Sequence, residues 1–122
     1  MAARSRRIMV GYDGSESARR ALEAAADLVG YGSTLTVVTV QNGELDGSVS
    51  RDARDRLQLR NVEARYSEPS GEAAEQLVES ARRLEADLVV VGRRNRSPLR
   101  VLLGSVSARV VRRAPCDVLV VR

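Results

Sequence analysis

Val89-Val90-Val91-Gly92, followed by an arginine-rich loop and then by Gly104-Ser105, is the stretch that decides the fold of this 122-residue chain. Three valines in succession describe a strand covered on both faces, the habit of parallel sheets under helices. The glycine ends that strand. Twelve positions on, Gly104-Ser105 opens a helix, with flexible backbone, unpaired N–H groups and a hydroxyl at the positive end of the helix dipole. Such an end suits an anion, phosphate above all.

Working outward, the same alternation of strand and helix runs along the whole chain. Arg7 to Tyr12 is an apolar run closed by Asp13-Gly14-Ser15. Ala18, Ala21, Leu22, Ala25, Leu28 and Val29 then recur at helical spacing, with Gly30 and Gly32 as the stop. Asp13 with Glu16 three residues later has the form of an N-terminal capping arrangement. Leu35 to Val40 is a second strand. The polar stretch from 44 to 60, holding Ala53, Leu57 and Leu59, predicts only a short helix. Val62 to Tyr66 alternates as a third strand. Pro69-Ser70-Gly71 opens a helix with Ala74, Leu77, Val78, Ala81 and Leu84 as its buried stripe. Leu88 to Val91 is the fourth strand, Ser105 caps a helix carrying Val106, Val110 and Val111, and Pro115 stops it before a fifth strand, Val118 to Val121.

Strands alternating with helices predict right-handed crossovers: a doubly wound α/β domain, one parallel sheet with helices on both faces, filling residues 1–122. Ligands of such sheets sit beyond the carboxyl ends of the strands, where the strand order reverses. If the first and fourth strands are neighbours, Asp13 faces Gly92, and the Gly104-Ser105 helix start closes the floor between them. A carboxylate opposite an anion site suits an adenine amino group or a ribose hydroxyl, with phosphates running toward the helix.

Composition removes many alternatives. All twenty basic residues are arginine, and histidine, tryptophan and phenylalanine are absent. Without lysine there is no phosphate-loop Gly-Lys-Ser/Thr, no Schiff base and no kinase lysine. Without histidine there is no Ser-His-Asp triad, and one cysteine, Cys116, makes neither an internal disulfide nor a thiolate zinc site. Acid–base work would fall to carboxylates alone. No apolar run reaches the roughly 20 residues of a membrane span, and no signal-peptide core follows the basic start, so a cytoplasmic protein is expected. The net charge of +4 is uneven: residues 1–60 carry +1, residues 61–92 carry −4, and residues 93–122 carry +7. A basic third of this kind fits an arginine surface, a phosphate ligand or nucleic acid. The lack of aromatic residues to stack bases argues against the last.

Three segments carry a resemblance to the universal stress proteins: Ile-Met-Val-Gly-Tyr-Asp-Gly-Ser-Glu at 8–16, Ala-Asp-Leu-Val-Val-Val-Gly at 86–92, and the ending from Leu102 to Val121. The resemblance implies a five-stranded parallel sheet in the order 3-2-1-4-5, and a homodimer formed through the last strand, here Val118, Leu119, Val120 and Val121. One branch of the family binds ATP through glycine, two residues, glycine, nine residues, then glycine and serine or threonine. Gly92 and Gly104-Ser105 match the outer positions. Asn95 stands at the middle glycine, and eight residues separate it from Gly104. By resemblance Asp13 and Val40 contact the adenine, Val91 and Gly92 lie along the nucleoside, Ser105, Val106 and Ser107 meet the phosphates with Arg94 as a bidentate partner for them, and Gly11, Tyr12, Asn95 and Gly104 complete the nucleotide site. ATP or another adenine nucleotide is the implied ligand, with magnesium entering only on its phosphates. The implied role is a switch that hydrolyses slowly or not at all, and the alternative is a nucleotide-free dimeric interaction module of the same family.

Overall fold

The computed structural model describes residues 6–43, 47–93 and 104–122. Its elements follow the expected alternation: β1 Arg7–Gly11, α1 Glu16–Leu28, β2 Thr34–Val38, α2 Ser48–Leu59, β3 Arg65–Ser67, α3 Ala73–Arg83, β4 Leu88–Gly92, α4 Ser105–Arg113 and β5 Asp117–Val121. The five strands form one sheet in the order β3-β2-β1-β4-β5, every pair parallel. The doubly wound α/β architecture and the strand order expected from the sequence are both present.

The unbroken apolar runs are explained by cover on two faces. Ile8 and Val10 of β1, with Leu88 and Val90 of β4, pack into one cluster with Ala18, Ala21, Leu22 and Ala25 of α1 and Ala53 and Leu57 of α2. The intervening Met9, Val89 and Val91 pack into a second cluster with Ala74, Leu77, Val78 and Ala81 of α3 and Val110 of α4. Side chains alternate across a strand, so a central strand with two covered faces has no polar position to alternate with. β5 is the exception at the edge, where Leu119 remains 37% exposed.

Local expectations shift at several points. Ser15, not Asp13, caps α1: its hydroxyl accepts from the Ala18 N–H at 3.2 Å, while Asp13 accepts from the Ser15 N–H at 2.9 Å. The polar segment forms the full three-turn α2, because Ser50, Ala53 and Leu57 suffice as a buried stripe. The third strand starts at Arg65 rather than Val62, since Val62 belongs to the end of α2. Asn61 takes a left-handed φ of 55°, and the N–H groups of Asn61 and Val62 close back on the carbonyls of Gln58 and Leu57.

Candidate functional site

The site begins where β1 and β4 end side by side. Val10 pairs with Val90 and Gly11 with Val38, so the carboxyl ends of β2, β1 and β4 lie in one row at the reversal of strand order. Gly11 and Val91 face each other here: a Cβ added to Gly11 meets a Val91 methyl at 3.4 Å and the Leu77 side chain at 3.1 Å. Gly92 is held tighter. A Cβ there would lie 2.5 Å from the Ser17 carbonyl carbon and 2.7 Å from the Ala18 nitrogen, so the first turn of α1 rests directly on the end of β4. The glycine expected to line a ligand also seats a helix.

Asp13 stands in the exposed turn between β1 and α1. Tyr12, beside it, is 2% exposed and points into the α1–α2 core. Its N–H donates to the Val38 carbonyl at 2.9 Å and its hydroxyl donates to the Asp52 carboxylate on α2. Arg56 donates to the same Asp52 oxygen at 3.0 Å. The Tyr12 hydroxyl, then the Arg56 guanidinium, hold the Asp52 carboxyl below its ordinary range, while burial and the Asp52 charge push the Tyr12 phenol up. The ring and hydroxyl of Tyr12 are therefore committed to the core between α1 and α2.

The helix start lies on the other side of the row. α4 begins at Ser105 with Gly104 in the capping position, so the cap contributes no side chain to the first-turn N–H groups. By contrast Ser15 and Glu72 close the first turns of α1 and α3 with their own oxygens. Ser105 is exposed, as the first helical residue rather than the cap. Ser107 is buried and donates its hydroxyl to the Gly104 carbonyl at 3.1 Å, and Val106 packs with Val40 against the α3–α4 core. Arg94 and Asn95 lie outside the described residues.

Sequence reasoning missed two further groups at this end. Thr39, just past β2, and Arg93, just past β4, each hold a buried polar atom, Oγ1 and Nε, without a hydrogen-bond partner among the described residues. The Arg93 main-chain N–H donates to the Val121 carbonyl at 2.6 Å, tying the residue after β4 to the end of β5. Nothing in local periodicity marks either residue; both follow from where their strands stop. Among the described residues no group of three or more His, Cys, Asp or Glu side chains is placed to hold a metal, and no helix is long and apolar enough to cross a membrane.

Known proteins share this architecture along nearly the whole chain. A universal stress protein of Mycobacterium tuberculosis is 32% identical over 139 aligned positions, covering 93% of this chain and 94% of its own. The alignment is longer than the 122 residues here, so that relative carries segments this chain lacks. A crystal structure of a universal stress protein in complex with cAMP superposes with a TM-score of 0.79 at 28% identity, covering 96% of this chain and 97% of the other. The universal stress protein UspA of Lactobacillus plantarum gives a TM-score of 0.78 at 25% identity, covering 99% and 100%. The family model for universal stress proteins matches residues 4–122, and the chain belongs to the universal stress protein family.

Proposed function

We propose that this protein binds an adenine nucleotide across the carboxyl ends of β1 and β4 and acts as a switch that hydrolyses it slowly or not at all. The observation that carries the reading is the amino end of α4. Among the described residues its capping position, Gly104, offers no side chain to the first-turn N–H groups, and the helix, which follows β4 in the chain, opens with an exposed serine. Phosphate oxygens satisfy such donors and complement the helix dipole. Asp13 then accepts from the adenine amino group or a ribose hydroxyl, and Val40, Val91 and Gly92 flank the nucleoside. The relative solved with cAMP supports an adenine ligand. Magnesium enters, where it does, on the phosphates. A cytoplasmic homodimer, paired through Val118 to Val121 of the edge strand β5, completes the proposal.

A second reading, a nucleotide-free dimeric module, draws support from Asn95 in place of a glycine and the loop one residue short. Calorimetric titration separates the two. ATP, AMP and cAMP are titrated into folded, nucleotide-free protein, with Ser105→Ala alongside. Micromolar binding of at least one nucleotide, weakened by the substitution, is the expected result. Absence of heat from all three with folded dimer would transfer the assignment to the interaction module.

A further inference from the structure

We infer that the opposite, amino-terminal end of the sheet carries a second binding site, for a small soluble phosphate-bearing anion. A cavity of about 590 Å³ opens there, on the face of the sheet covered by α3 and α4. Its size is that of small-molecule sites in general. The strand register builds its floor: Arg7 pairs with Thr34, and Met9, Thr36 and Arg65 stand in one row across β1, β2 and β3. Parallel partners share a face, and Met9 belongs to the α3–α4 core, so Thr34, Thr36 and Arg65 face the same side. On that face β2 is polar at Thr34 and Thr36 and becomes apolar only at Val38. Leu35 and Val37, on the other face, are core throughout. The helical cover thus stops short of this corner, and the end of α3 forms its second wall.

Charge selects the ligand. Four arginines line the cavity, Arg6, Arg7, Arg65 and Arg83, against one carboxylate, Glu85. Glu85 is occupied by Arg7 at 2.9 Å, and Arg83 donates to the Ser80 hydroxyl at 3.2 Å. The side chains of Arg6 and Arg65 make no hydrogen bond or ion pair among the described residues. The Thr36 hydroxyl, on a residue only 8% exposed, has no partner among them either. The partial negative charge at the carboxyl end of α3 is offset by Arg82 and Arg83 in its last turn. Guanidinium forks with hydroxyl donors between them fit phosphate oxygens, and the absence of aromatic lining residues gives a nucleobase nothing to stack on.

Inorganic pyrophosphate is the probe, titrated into the Ser105→Ala protein so that the α4 end is already weakened, with amide NMR shifts as the readout. The expected result is movement of the Thr34, Thr36 and Arg65 resonances, with affinity falling about tenfold in Arg65→Gln and also in Thr36→Val. Arg65 is an exposed residue of the edge strand, so its substitution leaves the core intact. Shifts confined to Gly92 and to residues 105–107, or no shifts at all, would overturn the site. A parallel arm offers phosphatidylglycerol vesicles; capture by vesicles without a response to pyrophosphate would overturn the soluble ligand. Failure of this titration leaves the adenine nucleotide reading untouched, since that is tested by ATP, AMP and cAMP at the other end.

Discussion

Tyr12 joins the candidate site to a helix forty residues away. Its backbone belongs to the end of β1, its neighbour is Asp13, and its hydroxyl is committed to Asp52 of α2. Tyr12→Phe removes that donor and leaves Asp52 with its bond to Arg56 and the charge of Arg19. The Asp52 and Arg56 side chains are both more than a third exposed, which screens the loss to roughly 1 kcal/mol at neutral pH. The pH dependence carries the signature. The folded carboxyl of Asp52 is depressed by the Tyr12 hydroxyl, so the stability it contributes is present above the ordinary carboxylate value near about 4, and vanishes as pH falls through the folded value. The phenol of Tyr12 is raised by burial and by Asp52; its contribution is present below about 10 and is lost as pH rises through the folded value. Urea midpoints of wild type and Tyr12→Phe at pH 3, 7 and about 10.5 are therefore expected to differ most at pH 7 and less at both extremes. A constant offset across the three would mean that the hydroxyl has no electrostatic partner in solution.

Helix ends account for much of what distinguishes this fold from its outline. α2 and α3 stop in the same way: Asn61 and Glu85 adopt left-handed φ angles of 55° and 50°, and the next residue returns its N–H five positions, Val62 to Leu57 and Ala86 to Ala81. Glycine suits that position better than glutamate, which carries a Cβ penalty there. Glu85→Gly forfeits only an exposed ion pair with Arg7. It is expected to raise stability by roughly 0.5–1 kcal/mol, read as a higher thermal midpoint; a lower midpoint would show that the Arg7 pair outweighs the strain. The same ends explain which elements were legible in sequence. Ile8 to Val10 and Leu88 to Val91 announce themselves as unbroken apolar strands, and Ala18, Ala21, Leu22 and Ala25 as one helix face. α2 hides because its buried stripe is only Ser50, Ala53 and Leu57, amid arginines and aspartates. Val62 reads as strand because a residue closing a helix end is as apolar as one opening a strand. At the site, the approach of β1 and β4 follows from strand order, and Ser105 from its helix. The contact of Gly92 with Ser17 and the bond of Tyr12 to Asp52 join distant segments that leave no periodic trace.

At the scale of the whole molecule, the proposed ligand and the proposed second subunit share one short connection. Gly92 is paired in register with Val121, and the Arg93 N–H holds the Val121 carbonyl, so the residue after β4 is fastened to the end of the edge strand. β5 has a sheet neighbour on one side only, β4, and Leu119 on it is more than a third exposed. A nucleotide seated against Gly92 restrains β4, and through Val121 it restrains β5 before a second copy arrives, which lowers the ordering entropy that pairing of the two edges still has to meet. Linkage is reciprocal: whatever factor the nucleotide contributes to dimer affinity, the dimer returns to nucleotide affinity. Saturating ATP is accordingly expected to lower the dimer dissociation constant by about fivefold in sedimentation equilibrium, with ATP binding tighter by the same factor at protein concentrations above that constant. Leu119→Arg, which places a charge on the pairing edge, is expected to yield monomer and to leave ATP with the weaker of the two affinities. Identical dimerisation with and without saturating ATP would separate the two functions and leave the Arg93–Val121 bond as a structural tie between neighbouring strands.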